Sequence, residues 1–264
     1  MLTPTAVTRT TQPAASVDIA PSPAARRRTS PVRASSRSSA HCSSCSMRQL
    51  CMPQGLAGEE LAKLETLICS ARSVPRGKAL YRSGDSFENI YAVRSGSMKT
   101  VMAHRDGREQ VTGLRLAGET LGLDGISDDV HACSALALED STVCIVPYTA
   151  LKTLCREIGS MQDRLHKLMG EQIVRKDAQM MVLGSLSADE RVAAFLLDVS
   201  ERNAQRGYSS AEFNLRMTRD DMGSYLGLTL ETVSRTLSRF QKRGLIDTQG
   251  KHIRIVDLEG LRQI

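Results

Sequence analysis

The chain has 264 residues, 41% of them hydrophobic and 3% aromatic, with no tryptophan and a formal net charge of +6. This composition supports one or two packed domains, and no apolar run approaches the ~20 residues that a membrane span needs. Basic charge is concentrated in two places, six arginines against one acid in residues 1–40 and eight Lys or Arg against four acids in 214–254, so an anionic partner is expected, nucleic acid first.

Residues 1–40 are rich in Ser, Ala, Pro, Thr and Arg and nearly lack large apolar side chains, which predicts a disordered basic tail. Its arginines and scarcity of acids resemble a transit peptide, but the amphipathic pattern is missing, and there is no apolar core of a secretory signal. Seven cysteines, an odd and unevenly spread number, argue against a secreted disulfide framework and for a reducing, cytoplasmic setting. Three of them fall in HCSSCSMRQLC, where Cys42, Cys45 and Cys51 have the spacing Cys-x2-Cys-x5-Cys. On their own these thiols suit zinc as well as an iron–sulfur cluster, and a fourth ligand is a choice among Cys69, Cys133, Cys144 and Cys155.

Leu56, Leu61, Leu64, Leu67 and Ile68 recur at helical spacing and predict a helix over roughly 56–70. ALYRSGD, NIYAVRSGSMKTVMA, EQVTGLRLAGET and SALALEDSTVCIVP are short and punctuated by Gly or Asp. They read as strands of an antiparallel barrel or jelly roll, with Ser95-Gly96 and Asp106-Gly107 as hairpin turns. After Pro147 an apolar stripe runs through Leu151, Leu154, Ile158, Met161, Leu165, Leu168, Ile173, Met180 and Leu183, with Gly170 as the internal breaker. A helix spanning 151–186 cannot be hidden against one small barrel, so its stripe is expected to form the seam of a homodimer. Ser187 and Glu190 then form a capping box for a helix over about 187–205 that buries Val192, Phe195, Leu196 and Val199.

MTRDDMGSYLGLTLETVSRTLSRFQKRGLI, 217–246, has the pattern of two short helices around a tight turn. Thr218 caps the first, Gly227 stands between them, and Thr229 caps the second, which ends near Arg243 and Gly244. Met222, Leu226, Leu228, Val233, Leu237 and Phe240 pack the pair together, which leaves Glu231, Ser234, Arg235 and Ser238 on one exposed face. That is how a recognition helix reads the major groove, where Arg pairs with guanine and Glu accepts from cytosine. GLIDTQGKHIRIVD follows as a hairpin wing, with Lys251 and Arg254 available to phosphates; Thr218, Arg219 and Arg239 are expected beside the DNA as well.

With HCSSCSMRQLC, LYRSGD, YAVRSGSMK, TGLRLAGETLG, LEDSTVCIVP, RVAAFL and ETVSRTLSRFQ in this order, the chain closely resembles the FNR branch of the CRP/FNR transcription regulators. The resemblance runs from His41 to the wing. It implies an α+β protein: an iron–sulfur-binding segment and β-roll over 41–150, a dimerisation helix over 151–186 and a winged helix-turn-helix over 187–264. It also implies that Cys42, Cys45 and Cys51, with Cys144 in the LEDSTVC position, hold an oxygen-sensing [4Fe–4S] cluster. Cys69, Cys133 and Cys155 are left as small buried hydrophobes. Glu231, Ser234 and Arg235 carry the family's Glu-x-x-Ser-Arg reading motif for a palindrome of the TTGAT…ATCAA kind, and Gly118 and Glu119 match its loop for touching RNA polymerase. Cyclic-nucleotide-binding members use a Gly-Glu and an Arg-Ser pair where this chain has Gly122-Leu123 and His131-Ala132, so no cyclic nucleotide is expected. The alternative is a constitutive or zinc-stabilised regulator of the same family without oxygen sensing.

Overall fold

Eight short strands build two four-stranded antiparallel sheets. They are β1 (Ser70–Val74), β2 (Ala79–Tyr81), β3 (Asn89–Ser95), β4 (Ser97–Ala103), β5 (Glu109–Leu116), β6 (Thr120–Leu121), β7 (Ser134–Ala137) and β8 (Ser141–Pro147). The order is β1-β8-β3-β6 in one sheet and β2-β7-β4-β5 in the other. The structure, a computed structural model, describes residues 41–68 and 70–264; the expectations for the 1–40 tail and for Cys69 lie outside the described residues. Leu80, Tyr81, Tyr91, Val93, Met98, Leu121 and Val143 fill the space between the sheets.

Asp106-Gly107 closes the β4–β5 hairpin as expected. Ser95-Gly96 does not close a hairpin, because β3 and β4 belong to different sheets. Gly96, at φ +84°, carries the chain across the sandwich edge so close to Ser141 that a Cβ would collide with it.

Helix α1 (Gly58–Leu67) precedes the sandwich, and α2 (Tyr148–Glu157) and α3 (Gly159–Ser185) follow it. The single helix expected over 151–186 is therefore two helices. Ile158 is the break: it takes extended dihedrals (φ −128°, ψ 104°) and buries its side chain among α1, α2 and the 41–56 segment. Gly170 interrupts nothing, since α3 runs through it. The apolar stripe divides too. Met161, Leu165 and Leu168 are buried within the protomer, whereas Ile173, Val174, Met180 and Met181 are 62–69% exposed.

Helix α4 (Ala188–Gln205) begins at the Ser187–Glu190 capping box. After it come β9 (Glu212–Asn214), α5 (Arg219–Leu226), α6 (Leu230–Lys242), β10 (Ile246–Gln249), β11 (His252–Ile255) and α7 (Leu258–Arg262). The three strands form a small antiparallel sheet of order β10-β11-β9. Val192, Leu196, Met222, Leu226, Val233, Leu237, Phe240 and Ile253 make its core, and Val101, Val111 and Leu114 of the sandwich join the same cluster. The C-terminal domain is thus docked on β4 and β5. Lys99 Nζ meets Asp221 Oδ1 at 2.5 Å, and the Val111 amide donates to Ser224 Oγ at 2.8 Å.

Candidate thiol centre and nucleic-acid interface

Cys144 sits in the middle of β8, flanked across the sheet by Ala71 of β1 and Ala92 of β3. These small neighbours leave room above the sheet, and the N-terminal segment folds over it. That segment is a series of tight turns in which the Cys45 amide donates to the Cys42 carbonyl at 3.2 Å and Arg48 donates to Leu56 O at 2.7 Å. Cys42, Cys45, Cys51 and Cys144 line one chamber, together with the apolar side chains of Met47, Met52, Ile68 and Val146. Among the described residues, no three His, Cys, Asp or Glu side chains close around a single metal-sized point; the four thiols ring a chamber instead. The four-cysteine set implied by the resemblance is brought together, although Cys144 lies 93 residues beyond Cys51 in the sequence.

The thiols feel burial and one another. Burial, then the nearby Cys144, push Cys42 up to about 11. Burial pushes Cys51 up to about 12, with Cys144, Cys42 and Cys45 adding to the rise. Cys144 is also raised by burial. Without a metal these thiols stay protonated at neutral pH, and a metal centre must displace their protons as it binds. Four soft sulfur donors in an apolar chamber suit iron–sulfur chemistry. Cys133 and Cys155 are buried elsewhere; Cys133 lies against Asp124, which accepts from its Sγ at 3.4 Å.

The thiol segment is coupled to the long helix. The Cys51 carbonyl accepts from Arg164 Nη2 of α3 at 3.1 Å, and Arg164 is itself buried.

In the C-terminal domain, Thr218 caps α5 by accepting from the Asp221 amide, and Asp221 returns the bond to the Thr218 amide, both at 3.0 Å. Thr229 caps α6, and Gly227 makes the turn at φ +63°. Sequence reasoning passed over Gly223, where a Cβ would stand 2.7 Å from the Leu228 carbonyl; this close approach sets the angle between the two helices. The spacing of a glycine four residues before the turn was the available signal.

Glu231, Arg235 and Ser238 are exposed along α6, and Ser234, expected on the same exposed face, is half-buried beside them. Lys251 is exposed at the tip of the β10–β11 wing. The other expected DNA contacts have internal work. The Thr218 hydroxyl is spent on its cap, and Arg219 donates to the Gly250 carbonyl at 3.2 Å, bracing the wing. Arg239 pairs with Asp189 of α4, and Arg254 with Asp247 at 3.2 Å.

The turn expected to touch RNA polymerase has its side chain directed inward. Gly118 is buried with Leu50 over it, and the Glu119 carboxylate turns inward to Arg202, Arg206 and Arg175. Burial opposes the Glu119 charge, but the surrounding guanidiniums outweigh it and favour the ionised carboxylate in this inward position. At the two positions expected to lack nucleotide ligands, Leu123 is half-buried and His131 is buried, stacked on Tyr81 at 3.7 Å between ring centroids.

A β-sandwich domain, a long helix and a winged helix-turn-helix define a DNA-binding transcription regulator rather than an enzyme. Residues 190–264 match the Crp-like helix-turn-helix domain, and residues 71–157 match the cyclic nucleotide-binding domain. The chain is 44% identical over 225 residues to the transcriptional regulatory protein btr of Bordetella pertussis, covering 85% of this chain and 93% of that one. It is 41% identical over 224 residues to the fumarate and nitrate reduction regulatory protein of Escherichia coli, covering 85% and 90%. Among solved structures, FixK2 from Bradyrhizobium japonicum aligns with a TM-score of 0.69 at 29% identity, covering 74% of this chain and 96% of that one. The chain belongs to the CRP/FNR family of transcription regulators. No helix among the described residues is long and apolar enough to cross a membrane.

Proposed function

We propose that this regulator controls anaerobic gene expression as a homodimer, sensing oxygen through a [4Fe–4S] cluster held by Cys42, Cys45, Cys51 and Cys144. The observation that carries the reading is the convergence of these four thiols, three on the N-terminal segment and one on β8, in one apolar chamber. Relatives named as fumarate and nitrate reduction regulator and as anaerobic regulatory protein, the latter 41% identical, support the physiological setting. When bound, the cluster supplies an oxygen-labile link among the four sulfurs.

The residues explain how such a link reaches DNA. Cys42, Cys45 and Cys51 fasten the segment onto the sheet through Cys144. The Cys51 carbonyl then holds Arg164 of α3. Farther along α3, Ile173, Val174, Met180 and Met181 form an exposed apolar strip with seven-residue spacing, suited to a second copy of the helix. Two-fold pairing presents two α6 helices to successive major grooves, with Glu231, Ser234 and Arg235 reading bases and Lys251 on a phosphate. Recruitment of RNA polymerase belongs to this reading.

The test is anaerobic purification, iron and sulfide analysis, an absorption spectrum, and operator binding before and after adding air. About four irons and four sulfides per chain, with binding lost in air, are expected. Zinc or no metal, with binding unaffected by air, would retain the regulator and remove the oxygen switch.

A further inference from the structure

Arg94 stands beside the thiols without an assigned role. It follows Ala92 by two residues on β3, and Ala92 is the register partner of Cys144 on β8. The β3–β8 register shifts between Val93 and Ser95, leaving Arg94 as the unpaired residue of a bulge, the device by which a strand re-aims a side chain. Its side chain lines the thiol chamber. Among the described residues Arg94 makes no hydrogen bond or ion pair, in contrast to the arginines around Glu119 and to Arg164. Half-buried Arg94 lies between the thiol chamber, whose lining has no carboxylate, and a neighbouring cleft lined by Glu139 and Glu212.

Arg48 also lines the chamber, but its guanidinium is committed to the Leu56 carbonyl at 2.7 Å. His41 lies at the edge and is exposed. Glu65 stands outside the lining, where its carboxylate accepts from the Ser43 amide at 2.5 Å, so it adds negative charge on the Cys42 side. Four thiolates around an iron–sulfur core leave a net negative assembly in an apolar setting, which is costly without a counter-charge.

We infer that Arg94 is the charge-balancing residue of the thiol centre, its bulge-directed guanidinium donating toward the anionic four-thiolate assembly and making it harder to oxidise. The inference rests on the four-cysteine reading above. The direction follows from electrostatics: a nearby cation favours the more negative, reduced form, so removing it favours loss of an electron.

The experiment compares the full chain with Arg94→Gln and Arg94→Lys, each purified anaerobically. Iron content, midpoint potential and decay of cluster absorbance in air-saturated buffer are measured, with melting of the metal-free chain as a fold control. Arg94→Gln is expected to load iron, melt like the wild type without metal, have a lower midpoint potential, and lose absorbance about tenfold faster in air. Arg94→Lys, which keeps the charge, is expected to recover most of the difference. Wild-type potential and decay in an iron-loaded Arg94→Gln would overturn the role of Arg94 and leave the four-cysteine reading intact. A wild-type chain without iron would overturn both. Equal loss in Arg94→Gln and Arg94→Lys would overturn charge as the cause.

Discussion

Glu119, in the turn between β5 and β6, is bound through both carboxylate oxygens by Arg202 of α4, with Arg202 Nη2 at 2.9 Å from Oε1 and 2.8 Å from Oε2. Arg206 reaches Oε1 at 2.5 Å and Arg175 of α3 reaches Oε2 at 3.3 Å. One largely buried carboxylate therefore joins the β-sandwich, the long helix and the first helix of the DNA-binding domain. Arg202 also donates to the Leu114 carbonyl, and Arg206 to the Ala117 carbonyl, so the guanidiniums hold the turn as well as its charge.

This pair makes the docking of the two domains sensitive to acid. Burial pushes the Glu119 carboxyl upward, but Arg202, Arg175, Arg115 and Arg206 together outweigh it and hold it below the usual carboxylate value. A lowered folded value means that its contribution is fully present above the unfolded-chain value of about 4.3 and is lost as pH falls through the lower folded one. Glu119→Gln is expected to cost on the order of 3 kcal/mol at pH 7. Melting curves of wild type and variant should converge as the buffer is taken below the usual carboxylate range; a constant gap would show that the carboxylate charge is not what the arginines hold.

The inward turn of Glu119 marks the limit of what the sequence discloses. Its local neighbours, Gly118 and Thr120, say only that a turn occurs, and the arginines hydrogen-bonded to its carboxylate lie 56 to 87 residues later. Local chemistry was legible throughout: the caps at Ser187, Thr218 and Thr229, the wing, and the exposed line of Glu231 and Arg235 are where the residue pattern puts them. Tertiary demands were not. Ile158 looks like one more member of a helical stripe, yet its burial against α1 and α2 breaks the helix there. Ser95-Gly96 has the composition of a hairpin turn, but which sheet each flanking strand joins is decided by pairings with β7 and β8 far along the chain. Arg239 and Arg219 illustrate the same point in the DNA-binding domain, where position on a helix does not reveal that Asp189 and the Gly250 carbonyl claim them.

The division between reading and positioning residues makes a prediction for DNA binding. Arg235 is exposed on the α6 face beside Glu231, whereas Lys251 stands apart on the wing. Arg235→Ala is expected to weaken binding to the cognate palindrome by about 1–3 kcal/mol while sparing random DNA. Lys251→Ala is expected to weaken both and to reduce the slope of log affinity against log salt by about one. Titrations of cognate and scrambled duplexes across a salt series separate the two. Equal losses on both duplexes for Arg235→Ala would remove it from base reading.

Self-association should depend on the exposed half of α3. Met180 and Ile173 are seven residues apart and 64% and 62% exposed, so neither supports the protomer's own core. Met180→Glu places a charge in each half of a symmetric seam and is expected to weaken dimerisation at least tenfold, to about that order or beyond, with little change in monomer melting. Sedimentation at several concentrations measures it. An unchanged dimer would move the seam to another surface.

Two glycines should respond oppositely to the same substitution. At Gly223 an added methyl stands 2.7 Å from the Leu228 carbonyl and 3.4 Å from the Leu230 amide, both backbone atoms of the turn that aims α6. Gly223→Ala must open that turn and is expected to cost about 1–3 kcal/mol while weakening operator binding. Gly170 lies inside α3 with nothing within 4 Å of its added Cβ. Gly170→Ala trades a flexible helical residue for the best helix former and should stabilise the chain by about 0.5–1 kcal/mol. Thermal melts of both variants, with DNA binding alongside, check the pair. A harmless Gly223→Ala would mean that the backbone at Leu228 yields without moving the recognition helix, and that close packing at this turn does not set the reading geometry.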